Sequence, residues 1–376
     1  MEDFSRYSRT RSPIDRFLEV IERAPGADRL GLRTLFFIVV ATVLFLLIVV
    51  SGAFKTERGL SGGSFTEGML GTPRFVNPAL ALTRTDQDLT ALLYSGLMTI
   101  SADGSLQPDV AEDVAVSEDG LAYTVRLRQD RAFHDGTPIT AADVAYTIRL
   151  IQEPSLKSPL LGNWSQVAVE VVDDYTLIIQ LDEPYAPFIE NFTVGIMPAH
   201  IWRDVPIEQL PFAPENIEPV GSGPYRLDSV ARDSDGIVTS YRLTAHEDGA
   251  ATAQISVIRV TFFQNEPELL AAITDKAVDA TAHLSVESLV TLESERWQLI
   301  EEPLPRVFGV FFNQSESTVL RDDAVRDALS ASVNRQELID TTVASYGVPI
   351  TAPTVFGGTT VESTTATSAA AILEAA

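Results

Sequence analysis

The chain has 376 residues, 45% of them hydrophobic and 21% charged, with 22 Gly and 21 Pro spread along its length. Single hydrophobic cores stop growing at roughly 250 to 300 residues, so at least two lobes are expected and wholesale disorder is excluded. There are no cysteines, which excludes disulfides, thiolate metal sites, cysteine nucleophiles and lipid attachment through an N-terminal Cys.

The first 54 residues hold seven Arg against six Asp or Glu, which leaves 20 basic and 46 acidic residues beyond them, a net of −26. So acidic a surface repels nucleic acid and anionic lipid and keeps the protein soluble.

Residues 1–33 form an Arg-rich arm ahead of 21 uncharged residues, 34–54, between Arg33 and Lys55. As a helix this run spans a bilayer core of about 30 Å. Positive charge is concentrated before it, which puts the N-terminus in the cytoplasm and the bulk of the chain outside as a single-pass membrane protein. Ser51-Gly52-Ala53 also fits a signal-peptidase site, but the leader and the apolar run are longer than in an ordinary signal peptide, which favours an uncleaved anchor.

Residues 55–66, rich in Gly and Ser, read as a flexible spacer or the lead-in to a strand. Farther on, Tyr123, Val125 and Leu127 alternate with Thr124, Arg126 and Arg128 behind Asp119-Gly120, which predicts a half-buried hairpin. Val167–Leu181 predicts a second hairpin around Asp173-Asp174. Between them, Thr140-Ala141-Ala142-Asp143 is a helix start, with Val144, Ile148 and Ile151 at helical spacing behind it. Downstream, Tyr241–Thr244 and Ile255–Phe263 predict strands, Glu268–Ile273 a short helix, and Asp322–Ile339 one longer helix stopped by Tyr346-Gly347.

No residue sits in an activating context for catalysis. His134, His200, His246 and His283 have no zinc spacing, and no nucleophile elbow occurs. His134 and Asp135 are adjacent, so on extended backbone they point apart and do not form one acid-base pair. Gly221-Ser222-Gly223-Pro224 lacks the lysine of a phosphate loop and reads as a tight backbone passage, with positive φ as the expected reason for Gly221. No catalytic residue, metal ligand or cofactor is expected.

Nine or more segments in order resemble the family-5 bacterial extracellular solute-binding proteins, the peptide and nickel receptors of ABC importers. They include PRFVNP (73–78), YSGL (94–97), PDVAE (108–112), SEDGLAYTVRL (117–127), FHDGTPITAADV (133–144), VVDDYTLIIQL (171–181) and VGSGPYRL (220–227). The resemblance implies an α/β fold like that of the periplasmic binding proteins, class II and three-part. It divides the chain into a first lobe of 67–95 and 217–302, an inserted subdomain of 96–216, and the start of a second lobe at 303–376. Because the chain stops at Ala376, that second lobe is expected to be incomplete, with apolar surface left open from Val307 to Phe312.

The resemblance further implies no enzyme, but capture of a peptide or similar small solute outside the membrane for an ABC permease and its ATPase, with no nucleic-acid partner. A membrane-anchored sensory receptor and a surface hydrolase are the alternatives. By analogy with where family ligands lie, Thr83, Arg84 and Thr85 are the expected ligand contacts.

Overall fold

The computed structural model describes residues 62–101, 104–246, 253–292, 297–300, 307–343 and 345–350, with single positions between 31 and 45. The chain divides into two compact units, Met1–Leu60 and Ser61–Ala376. In the first, the described positions Leu35, Phe37, Ile38, Val39 and Phe45 are helical with exposed side chains. Thr34 and Thr42 donate their hydroxyls back to the carbonyls of Gly31 and Ile38 (2.9 and 2.7 Å), which hides two polar groups on an apolar helix. Among the described residues no helix is long and apolar enough to cross a membrane, and most of the expected anchor, 34–54, lies outside them.

In the second unit β1 (Ser64–Leu70) begins inside the stretch read as a spacer, and α1 (Arg84–Leu93) follows it. A short ribbon of β2 (Met98–Ile100) and β3 (Leu106–Pro108) leads to β4 (Ala111–Val116) and β5 (Ala122–Leu127), antiparallel as the alternation predicted. Then come α2 (Ala141–Gln152), the single turn α3 (Leu161–Trp164), and the second expected hairpin, β6 (Val167–Asp173) with β7 (Thr176–Leu181). These strands form one antiparallel sheet in the order β4-β5-β7-β6.

One face of that sheet carries Tyr123, Val125, Leu127, Leu177, Ile179 and Leu181, all buried with Val144, Ile148 and Ile151 of α2 in the larger apolar core. The 3₁₀ stretch Ala186–Thr193 adds Phe188 and Phe192, whose rings meet Tyr123 at 5.6 and 5.5 Å, while Trp164 meets Phe188 at 5.3 Å. Each such ring removes roughly 150–250 Å² from water, worth several kcal/mol at about 25 cal/mol per Å². α2 starts through Asp143: its Oδ2 accepts from the Thr140 amide and hydroxyl (2.9 and 2.7 Å), and its Oδ1 accepts from the Ala199 amide at the start of α4 (Ala199–Trp202). One side chain therefore both caps a helix and anchors a neighbour.

After 3₁₀ turns through 207–216, β8 (Tyr225–Arg232), β9 (Val238–Ala245) and β10 (Val257–Phe263) run antiparallel, and β1 adds to β10 in parallel. This mixed sheet, ordered β1-β10-β9-β8, has its own core of Met69, Val76, Leu89, Leu93, Tyr225, Tyr241, Leu243, Val260 and neighbours. Next, α5 (Glu266–Thr274), capped by Asn265, lies beside β1, and α6 (Val286–Thr291) follows, capped by Ser285, whose amide donates to Glu266 (2.5 Å).

The expected single helix over 322–339 is two, α7 (Asp323–Ser332) and α8 (Arg335–Thr342). Asn334 breaks it, because its side chain accepts from the Glu337 amide and starts a new helix.

Candidate functional site

The turn from β1 into α1 is organised by a carboxylate. Gly71, at φ +86°, reverses the chain at the end of β1, a conformation that costs a side chain. Asp86, fully buried on the first turn of α1, then accepts from the amides of Arg74 and Phe75 (2.8 and 3.1 Å) and from the Thr83 hydroxyl (2.7 Å). Thr83 caps the helix by accepting from the Asp86 amide (3.1 Å). Thr83-x-x-Asp86 is the same start pattern as Thr140-x-x-Asp143, so the sequence did carry a signal for it.

The three expected ligand contacts therefore sit in different settings. Thr83 is exposed but engaged as a cap, and Thr85 is buried with its hydroxyl donating to the Leu70 carbonyl. Arg84 faces solvent and lies 3.7 Å from Asp88 one turn on.

Beside them is a charged group that sequence reasoning missed. The Asp279–His283 segment runs along the outer edge of β1: Glu67 bridges Ala280 in parallel, the Gly68 amide donates to the Ala280 carbonyl (2.9 Å), and Thr281 donates to the Gly68 carbonyl (2.7 Å). This brings the His283 Nε2 to 3.0 Å from the Asp88 carboxylate, with the His side chain buried. Burial, then the Asp88 charge, raise the pKa of Glu67, opposed by His283 and Arg84. No sequence signal links Asp88 to a histidine 195 positions away.

The second constructed place is where the chain passes between the two cores. It leaves the mixed-sheet core through Leu93–Leu97 and returns through Val220–Tyr225. Ser222 and Gly223 both donate to the Leu93 carbonyl (3.0 and 2.9 Å), and the Ser95 amide donates to the Ser222 hydroxyl (3.2 Å). Gly221 is a tight passage, but the reason is not the expected positive φ, which it lacks. A Cβ there would fall 1.8 Å from the Leu93 oxygen, so glycine is required by close approach of backbone to backbone.

On the other side of this loop stands His134. Its amide donates to the Gly221 carbonyl (2.8 Å), its Nδ1 accepts from the Gly221 amide (3.2 Å) and its Nε2 lies 3.1 Å from the Gly223 carbonyl. Asp135 points elsewhere: it closes a turn by accepting from the Thr137 amide (2.9 Å) and holds His200 at 2.7 Å. The two neighbours do not share a partner, although they lie in the turn closed by the Gly136 amide on the Phe133 carbonyl (2.8 Å) and not on the extended backbone expected.

Nearby, the buried Arg131 guanidinium pairs with Asp109 and donates to Ser95 (3.1 Å). Burial raises the Asp109 pKa even though Arg131 opposes it. Among the described residues no group of three or more His, Asp or Glu could hold a metal ion.

Several solved structures share the fold. Residues of this chain align with NikZ from Campylobacter jejuni, solved in complex with Ni(L-His), at a TM-score of 0.60 and 24% identity over 77% of this chain and 57% of that one. Oligopeptide-binding AppA from Bacillus subtilis, solved with a nonapeptide, aligns at a TM-score of 0.61 and 19% identity over 85% of this chain and 64% of that one.

By sequence the chain is 28% identical to protein XP55 of Streptomyces lividans over 76% of its length and 51% of that protein's. It is 24% identical to a glutathione-binding protein of Escherichia coli over 73% of its length and 53% of that protein's. The chain thus spans about half the length of the curated relatives it matches. The family model for bacterial extracellular solute-binding proteins, family 5, middle region, matches residues 105–376, and the chain belongs to that family.

Proposed function

We propose that the protein is the extracytoplasmic solute-binding component of an ABC importer, capturing peptides or a similar small solute and passing them to a permease driven by its ATPase. The family match over 105–376 carries this reading. Relatives named for oligopeptide and glutathione binding support a peptide-like ligand.

In this reading the chain is a three-part, class II receptor, with a first lobe of 67–95 and 217–302, an inserted subdomain of 96–216 and the start of a second lobe from 303. Residues 34–54 form a single-pass anchor, and the helical, exposed apolar positions Leu35, Phe37, Ile38 and Phe45 support it. The ligand meets Thr83–Thr85 chiefly through Arg84, because Thr85 is buried and bonded while Arg84 keeps a solvent-facing guanidinium. No covalent step is involved; selection comes from ligand contacts and lobe closure.

Calorimetric titration of a mixed peptide library into the full chain in detergent tests the reading. Saturable binding is expected, weakened about tenfold or more in Arg84→Ala with no change in thermal midpoint, since losing one charge-assisted contact costs about 1.5–3 kcal/mol. Absence of binding to peptides, to glutathione and to nickel-histidine would sink the transport reading, while full affinity in Arg84→Ala would move the contact away from α1. Protease added to intact cells should remove everything beyond Lys55; protection of that part while controls are cleaved would reverse the topology.

A further inference from the structure

The histidine at the crossing between the cores is held in one protonation state by its partners. Nδ1 faces the Gly221 amide at 3.2 Å, and an amide nitrogen can only donate, so Nδ1 carries no proton. The single ring proton is then on Nε2, donating to the Gly223 carbonyl at 3.1 Å. A second proton has only Nδ1 to occupy, where it would set two N–H groups head to head. The imidazolium is incompatible with this contact.

The surroundings offer the charged ring little compensation. The His246 ring packs edge-on at 4.8 Å, and Arg226 adds a like charge. Two carboxylates stand near the ring and both are engaged: Asp135 is bonded to His200 and to the Thr137 amide, and Asp228 accepts from the Arg242 guanidinium (3.1 Å). Burial first, then His246 and Arg226, push the His134 pKa down to about 4, against the favourable Gly223 carbonyl and Asp135. Protons nevertheless reach the ring, because it lines an open depression of about 250 Å³ with Asp135, Val220, Arg226 and Asp228.

We propose that His134 is an acid-released latch: its neutral ring pins the returning Gly221–Gly223 segment to the larger core, and a second proton on Nδ1 opens that side of the crossing. The Leu93 side stays closed, since its bonds involve only backbone and Ser222. The folded ring takes its second proton less readily than an unfolded histidine. The latch's contribution is therefore complete above the unfolded pKa of about 6.5 and is lost as pH falls from there toward about 4. An extracytoplasmic receptor meets such pH changes directly, and the effect acts on the joint between cores whatever the ligand.

With four histidines in the chain, ¹⁵N-histidine labelling of the full protein resolves each ring. The signal lost in His134→Gln is expected to show the Nε2–H tautomer and to stay unprotonated down to about pH 5. A ring titrating at or above about 6.5, or carrying its proton on Nδ1, overturns the latch. Deuterium exchange of peptides spanning Pro219–Tyr225, corrected for intrinsic exchange, should lose about tenfold of its protection between about pH 7.5 and about pH 4.5 while α2 keeps its own. His134→Gln should show the low protection already at the higher pH. If that variant fails to fold, the wild-type exchange decides alone: protection constant across the range overturns the proposal.

Discussion

The larger core around α2 and the stretch from Val307 to Ile350 are built from the same kinds of local signal, and they end in opposite states. In the first, Asp143 caps α2 and its apolar stripe is buried, with Val144 at 2% exposure and Ile151 at 0%. In the second, Asp322 and Asn334 cap α7 and α8 equally well, yet Ala328 alone among the described residues there is buried, and Phe308 and Phe311 stand 86% and 91% exposed. Of the apolar surface expected to be open at Val307–Phe312, Phe308, Val310 and Phe311 are exposed, while Val307 and Phe312 are half-buried. Caps satisfy the first amides of a helix from within a few residues, whereas burial needs a second surface brought from far along the chain.

Four substitutions press on that contrast. The largest effect is expected at the crossing between cores, where Gly221→Val would drive a Cβ into the Leu93 carbonyl. The Leu93 oxygen and carbon that it would meet are backbone atoms and cannot swing aside, so a loss of about 4 kcal/mol or more is expected in denaturant unfolding. A midpoint within error of the wild type would mean that the crossing is not as tight as described.

Asp109→Asn comes next, because it leaves the Arg131 guanidinium buried against a neutral amide. The expected cost is about 3 kcal/mol, partly recovered in Asp109→Asn with Arg131→Met. Additive losses in the double variant would show that the two groups are not coupled.

Ile151→Ala removes a fully buried side chain from α2, and a loss of about 2–4 kcal/mol is expected in the same measurement. At the far end of the scale, Phe311→Ser should change stability by less than about 0.5 kcal/mol, since that side chain is 91% exposed. It should instead lower self-association in light scattering by removing exposed apolar area. A large destabilisation by Phe311→Ser would break the comparison outright.

Much of the site's surroundings is legible in the sequence, and the legible parts are short-range. The hairpins at 111–127 and 167–181 follow from alternation and turn residues, and α2 from Thr140-x-x-Asp143 with the spacing of Val144, Ile148 and Ile151. The same capping pattern at Thr83-x-x-Asp86 was there to be read and explains why Thr83 serves the helix first. The break at Asn334 was equally local, but periodicity ran across it and concealed the new helix.

By itself the sequence determined the hairpins, the main helix starts, the separation of His134 from Asp135 and membership in a binding-protein family, because each rests on residues a few positions apart or on strings kept in order. Tertiary structure alone decided that β1 joins β10 in parallel 193 positions on, that His283 reaches Asp88, and that Gly221 is excluded from bearing a side chain by Leu93 and not by its own φ. It also decided that His134 is neutral, by giving its ring a backbone donor on one side and a backbone acceptor on the other. Those contacts join segments whose meeting costs chain entropy and is rewarded only by the packed whole, so no local run of residues can announce them.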